Sequence, residues 1–149
     1  MGPWAGGKWR KCVDADRVAL AIQAAESRCS GQIRVSVAPF FWGEVAKAAD
    51  KAFKRLHMDA TQERNGVLIF VVPSRKRFMV LGDSGIHAKV AEGFWEEVAS
   101  CLSAHFRRED FTGGLVEGIG LVGQRLAEHF PRQGGGASNE LPDEVDFGG

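Results

Sequence analysis

The sequence predicts an α/β fold, an α/β/α sandwich built on a small mixed sheet with a central β-hairpin. Three observations carry that expectation. Val67 to Val72 is an unbroken apolar run between Asn65-Gly66 and Pro73, and a strand with no polar face must be covered on both sides. Pro73 to Lys76 is a short polar reversal leading into a second strand that ends at Gly82-Asp83-Ser84-Gly85. Around this pair, apolar residues recur at helical spacing in four segments.

The elements follow in order. Asp14 is a cap candidate for a first helix carrying Val18, Ile22, Ala25 and Cys29 on one face, closed by Ser30-Gly31. Gln32 to Ala38 alternates Ile33, Val35 and Val37 with Arg34 and Ser36, the pattern of a strand near an edge, buried mainly on one side. After Pro39-Phe40-Phe41-Trp42-Gly43, the residues Val45, Ala49, Phe53 and Leu56 mark a second amphipathic helix. The two central strands come next. A third helix runs through Phe94, Val98, Cys101, Leu102 and Phe106, with Glu92, Glu96 and Glu97 near its start and Arg107-Arg108 at its end, where each suits the helix dipole. Leu115, Ile119, Val122 and Leu126 form the last helix, which Pro131 stops. The domain therefore spans 12–131, between a flexible arm at 1–11 and a flexible acidic tail at 132–149, whose Glu140 to Phe147 is a candidate clamp onto the domain or a basic partner.

A right-handed crossover makes the first two strands parallel, and the hairpin sets the third antiparallel to them. That topology gathers Asp59, Glu63, Asn65 and Asp83 at one edge of the sheet. Trp42, Glu44, Arg75, Arg77 and Asp110 fall at the other.

Composition narrows the function. The 149 residues suffice for one core without disulfides, and Cys12, Cys29 and Cys101 lie far apart in no zinc-type spacing, so free thiols in a reducing compartment are expected and zinc is not. Nineteen basic residues balance nineteen acidic ones, which disfavours nucleic acid as a partner. With no membrane-length apolar run and no signal-like start, membrane insertion is not expected and a cytoplasmic location is.

Four motif-like strings fail on context. Gly82-Asp83-Ser84-Gly85 lacks the partners of a serine nucleophile, and Cys101 to Arg107 has the cysteine phosphatase spacing inside a helical segment without a glycine loop. Gly118-Ile119-Gly120-Leu121-Val122-Gly123 lies within a helix, so no nucleotide is expected, and those glycines, with Gly114, imply close backbone packing. Met1-Gly2 lacks the hydroxyl residue that myristoylation prefers. The acidic turns remain. Asp83, Glu63 and Asp59 supply the oxygen ligands that Ca²⁺ or Mg²⁺ requires, although an Asp-x-Gly turn also forms for conformational reasons alone. Asp110 and Glu44 are the alternative set, at the carboxyl ends of the parallel strands. Glu63 and Asp83 are the catalytic candidates, and Phe40, Phe41 and Trp42 form an aromatic anchor for an unknown protein partner.

The chain resembles the TPM domain family through separated blocks in the right order. These are Ala24-Ala25-Glu26, Ser30-Gly31-Gln32-Ile33-Arg34-Val35, Arg64-Asn65-Gly66-Val67-Leu68-Ile69, Arg77-Phe78, Gly82-Asp83-Ser84-Gly85-Ile86, Phe94-Trp95, Phe106, Gly113-Gly114-Leu115 with Gly118-Ile119, and His129-Phe130-Pro131. The resemblance covers roughly Ala15 to Pro131, with Asn139 to Glu144 matching the tail of the short bacterial branch. It implies a three-layer Rossmann-like domain. Members include a plant thylakoid-lumen protein regarded as an acid phosphatase and a nematode auxiliary subunit of an acetylcholine receptor, and some bacterial members are thought to bind Ca²⁺ or Mg²⁺ through acidic loops. Carried over, Asp83 matches most directly and Asp110 matches the acidic position before the Gly-Leu helix. Two functions are thus expected: a cation-binding protein-interaction module or, as the alternative, a metal-dependent acid phosphatase.

Overall fold

The computed structural model describes residues 12–38, 41–90, 93–132 and 141–148. The arm at 1–11 and Phe40 lie outside them. Helix α1 (Ala15–Glu26) starts at Asp14, whose side chain accepts from Arg17 N at 3.2 Å, and buries Val18, Ile22 and Ala25. Strand β1 (Gln32–Val37) leads to α2 (Val45–Arg55), then to β2 (Gly66–Val72), a 3₁₀ turn over Pro73–Arg75, and β3 (Arg77–Gly82). A single turn, α3 (Ser84–His87), precedes α4 (Glu96–Arg107) and the long α5 (Phe111–His129).

The sheet order is β1-β2-β3. β1 runs parallel to β2, from Gln32 opposite Gly66 to Val37 opposite Val71, and β3 pairs antiparallel to β2, from Gly82 opposite Val67 to Arg77 opposite Val72. Every β2 side chain is buried. Its alternating residues divide between two clusters: Val67, Ile69 and Val71 join Ile33, Val35 and Val37 beneath α1, α4 and α5, while Leu68, Phe70 and Val72 meet Val45, Ala49 and Ala52 of α2. Each such side chain contributes about 1.5–3 kcal/mol of hydrophobic burial. Gly123 shows how tightly the helices close, since a Cβ there would stand 2.6 Å from the Ala25 Cβ.

Three features depart from the sequence expectation. β3 is an edge strand with half-buried side chains, so only β2 is central to the hairpin and to the sheet. β1 is buried on both faces, Arg34 and Ser36 included. The cause is the third difference: 141–148, expected to belong to a flexible tail, is packed along the free edge of β1.

There Val37 N donates to Asp146 O at 2.7 Å and Asp146 N to Val35 O at 2.9 Å, giving β1 the partner that an edge strand lacks. Ser36 Oγ and Arg55 Nη2 each donate to Asp146 Oδ2 at 2.7 Å. Burial pushes the Asp146 carboxyl up, but hydrogen bonds from Arg55 and Ser36 outweigh it and hold the group below the usual carboxylate range. Leu141 is buried, and its N–H reaches Gln32 Oε1 at 3.0 Å. The described part of the Glu140 to Phe147 clamp candidate thus lies on the domain, held by backbone pairing, matched charges and the apolar side chains of Leu141, Val145 and Phe147.

Candidate functional site

The amino-terminal edge of β1 and β2 is built by two backbone approaches that require glycine. A Cβ on Gly66 would lie 2.5 Å from Met58 O, and one on Gly85 would lie 2.1 Å from Glu63 O. The turns before β2 and after β3 are thereby pressed together, with Gly85 N donating to Arg64 O at 2.8 Å and Asp83 N to Gly66 O at 3.0 Å. Arg64 takes a left-handed conformation, φ 52°, which aims its side chain back across this seam.

Its target is Asp83. Arg64 Nε donates to Asp83 Oδ2 at 2.7 Å and Nη2 to Oδ1 at 3.2 Å, a two-pronged fork on a buried carboxylate. Asp83 Oδ1 also accepts from Ser84 N at 2.7 Å, capping α3. The hydrogen bond and charge of Asp83, with a lesser pull from Asp59, raise the proton affinity of the Arg64 guanidinium still further. Glu63 belongs to a neighbouring group: Ser30 Oγ donates to Glu63 Oε2, and Asn65 Nδ2 lies 3.2 Å from Ser30 Oγ and 3.3 Å from Glu63 Oε2. Asn65 is fully buried, and its Oδ1 has no hydrogen-bond partner among the described residues.

Asp59, Glu63, Asn65 and Asp83 therefore share one rim, as the topology requires, but they do not present a bare set of oxygens. Both Asp83 oxygens are engaged by Arg64, and Glu63 by Ser30 and Asn65. The donor chemistry suits a hard cation, and Asp83 becomes available to one only when Arg64 withdraws. Neither Arg64 nor Ser30 was singled out from sequence. The signal was present in Arg64-Asn65-Gly66, where a charged residue precedes a glycine turn at the start of a buried strand.

The opposite edge is different. Arg75 Nη1 donates to Phe41 O at 3.1 Å and to Gly43 O at 2.7 Å, tying the hairpin turn to the loop after β1. Trp42 is 81% exposed on that loop. Phe41 and Phe70 floor an open groove of about 350 Å³ beside it, with Lys47, Lys51, Arg55 and Glu44 at its rim. The two alternative metal candidates stand at helix starts: Asp110 accepts from Gly113 N at 3.1 Å to cap α5, and Glu44 precedes α2 without a side-chain cap bond, 3.6 Å from Lys47 Nζ. Cys101 to Arg107 is helical throughout, without the phosphate loop that its spacing superficially matches.

Comparison with known proteins bears on this geometry. A family model of the TPM domain matches residues 13–125. The BA42 protein of the psychrophilic bacterium Bizionia argentinensis, solved by NMR, superposes with a TM-score of 0.84 at 34% identity, covering 91% of this chain and 95% of that one. Two more distant structures share the fold: the amino-terminal domain of cg2496 from Corynebacterium glutamicum (TM-score 0.57, 12% identity, 81% and 74% covered) and one from P. gingivalis (0.58, 18%, 76% and 75%). No functionally curated protein matches the chain. Among the described residues no helix is long and apolar enough to cross a membrane.

Proposed function

The chain belongs to the TPM domain family, and from that premise we propose that it is a noncatalytic protein-binding module whose contact surface is the Trp42 loop and the adjoining groove. One observation carries this reading: an indole 81% exposed beside an aromatic-floored groove whose rim carries Lys51 together with the ion-paired Lys47, Glu44 and Arg55. Tryptophan is enriched among the few residues that dominate binding energy, and Arg75 holds this one on a braced loop. The partner chemistry that fits is an apolar side chain flanked by acidic residues. A Trp42→Ala variant should keep its thermal stability and lose a partner that the wild type captures. Equal capture by both proteins would remove the reading.

Ca²⁺ or Mg²⁺ has a supporting place in this proposal, at the Asp59, Glu63 and Asp83 rim, where the ion would compete with Arg64 for Asp83. Asp59 and Glu63 are exposed there and would complete the oxygen set. Acid phosphatase activity is the second reading, favoured by the Ser30–Glu63 hydrogen bond, which sets a hydroxyl against a carboxylate on the same rim. Turnover of p-nitrophenyl phosphate with Mg²⁺ or Ca²⁺ that disappears in Ser30→Ala and Glu63→Gln would establish it. Turnover unchanged in both variants, or none above background, would dismiss it.

A further inference from the structure

We infer that Cys101, His105 and Glu117 form a binding site for a borderline-soft divalent cation of the Zn²⁺ class, on the outer face of the α4–α5 pair. These residues supply one ligand atom each, all within 4.8 Å of one another. Cys101 and His105 lie four positions apart on α4 and so share a face, and Glu117 of α5 reaches them from the packed neighbouring helix. Sequence spacing of cysteines alone had spoken against zinc, because the third ligand comes from another helix.

The histidine geometry is the telling part. His105 Nδ1 stands 2.9 Å from the carbonyl oxygen of Cys101, an atom that only accepts, so Nδ1 carries a hydrogen and Nε2 is the free pole of the ring. That pole faces Glu117 Oε2 at 2.6 Å. An imidazole lone pair and a carboxylate this close require a positive charge between them, either a proton or a metal ion. An N–H anchored on a backbone carbonyl is also the support that orients metal-bound histidines.

Cys101 Sγ lies 3.9 Å from Glu117 Oε2, and it stands equally far from His105 Nδ1, the anchored nitrogen of the ring that Nε2 extends beyond. Ligand atoms around a tetrahedral Zn²⁺ stand about 3.3–3.8 Å apart, as bond lengths of about 2.0–2.3 Å dictate. Glu117 has to swing outward by less than about 1 Å from its present distance, and its side chain is 63% exposed and free to do so. A thiolate, an imidazole and one carboxylate favour zinc over calcium or magnesium. Gly120 lines the open pocket of about 460 Å³ over the cluster, and a Cβ there would meet nothing within 4 Å. The fourth coordination position thus opens to water.

The test is titration of the full, reduced chain with Zn²⁺, and with Co²⁺ as a spectroscopic probe. One Zn²⁺ per chain and a thiolate-to-Co²⁺ charge-transfer band are expected. Cys101→Ser should abolish the band, and Glu117→Gln, on an exposed position that leaves the fold intact, should weaken Zn²⁺ binding by more than about tenfold. Binding unchanged in both variants, or a band that persists in Cys101→Ser, would overturn the assignment, as would a wild type that takes up no Zn²⁺ while its circular dichroism shows a folded chain.

Discussion

Two groups of ligand-type side chains stand on different parts of the molecule, and they differ in what already neutralises them. On the rim, Asp83 is clasped by Arg64 and the α3 backbone, so its charge is spent inside the fold. On the α4–α5 face, Glu117 meets an imidazole whose other nitrogen is fixed on a carbonyl and the thiol of Cys101, which is half-buried and reduced. The lesson is that a carboxylate in a glycine turn marks a ligand site only if no cation of the chain reaches it first. Arg64, one position from Asn65-Gly66, does reach it.

That contrast can be broken or sharpened by substitution. The largest effect is expected for Gly85→Ala, which would drive a methyl group to 2.1 Å from Glu63 O and separate the two turns. A loss of about 3 kcal/mol in urea denaturation is expected, with the α4–α5 cluster still able to bind Co²⁺ in the folded fraction.

Next comes a third carboxylate environment, beneath the docked tail. Burial first, and then a hydrogen bond to Asp143, push the Glu26 carboxyl up to about 9. Between its ordinary value of 4.5 and about 9 the folded chain holds a proton that the unfolded chain releases, so stability falls as pH rises, by at most about 1.4 kcal/mol per unit. Glu26→Gln should flatten thermal stability between about pH 5 and pH 8. Asp146 acts in the opposite sense. Its depressed value stabilises the docked tail above the ordinary carboxylate range, and that contribution is lost as pH falls through the depressed value.

Asp83→Asn should be smaller, about 1 kcal/mol, since the amide oxygen can still cap α3 but no longer pairs with Arg64. The smallest change is a gain: Gly120→Ala should stabilise α5 by about 0.5–1 kcal/mol, because nothing fills the space at that position.

Periodicity made much of the fold legible. An unbroken apolar β2, an Asp-capped α1 and the glycine-rich α5 each follow from local pattern, and the hairpin with a crossover gives the strand directions, though not the edge position of β3. The two edges were legible for the same reason, which is why Trp42 and Asp83 fall at opposite ends. What the pattern did not disclose depends on partners distant in sequence: Arg34 and Ser36 are buried because Glu144 and Asp146 return to β1. Cys101 likewise looked like one more residue of a core face until α5 brought Glu117 across to it.

The most direct test follows backbone amide shifts in the intact chain during separate Zn²⁺ and Ca²⁺ titrations, with wild type and Arg64→Gln compared. Zn²⁺ should move amides around Cys101, His105 and Glu117 in both proteins alike. Ca²⁺ should move 59–65 and 83–86, and at lower concentration once Arg64 is gone. Zn²⁺ shifts confined to the rim, or Ca²⁺ binding there with the same affinity in both proteins, would contradict the division between a site held by its own arginine and a site open to a metal.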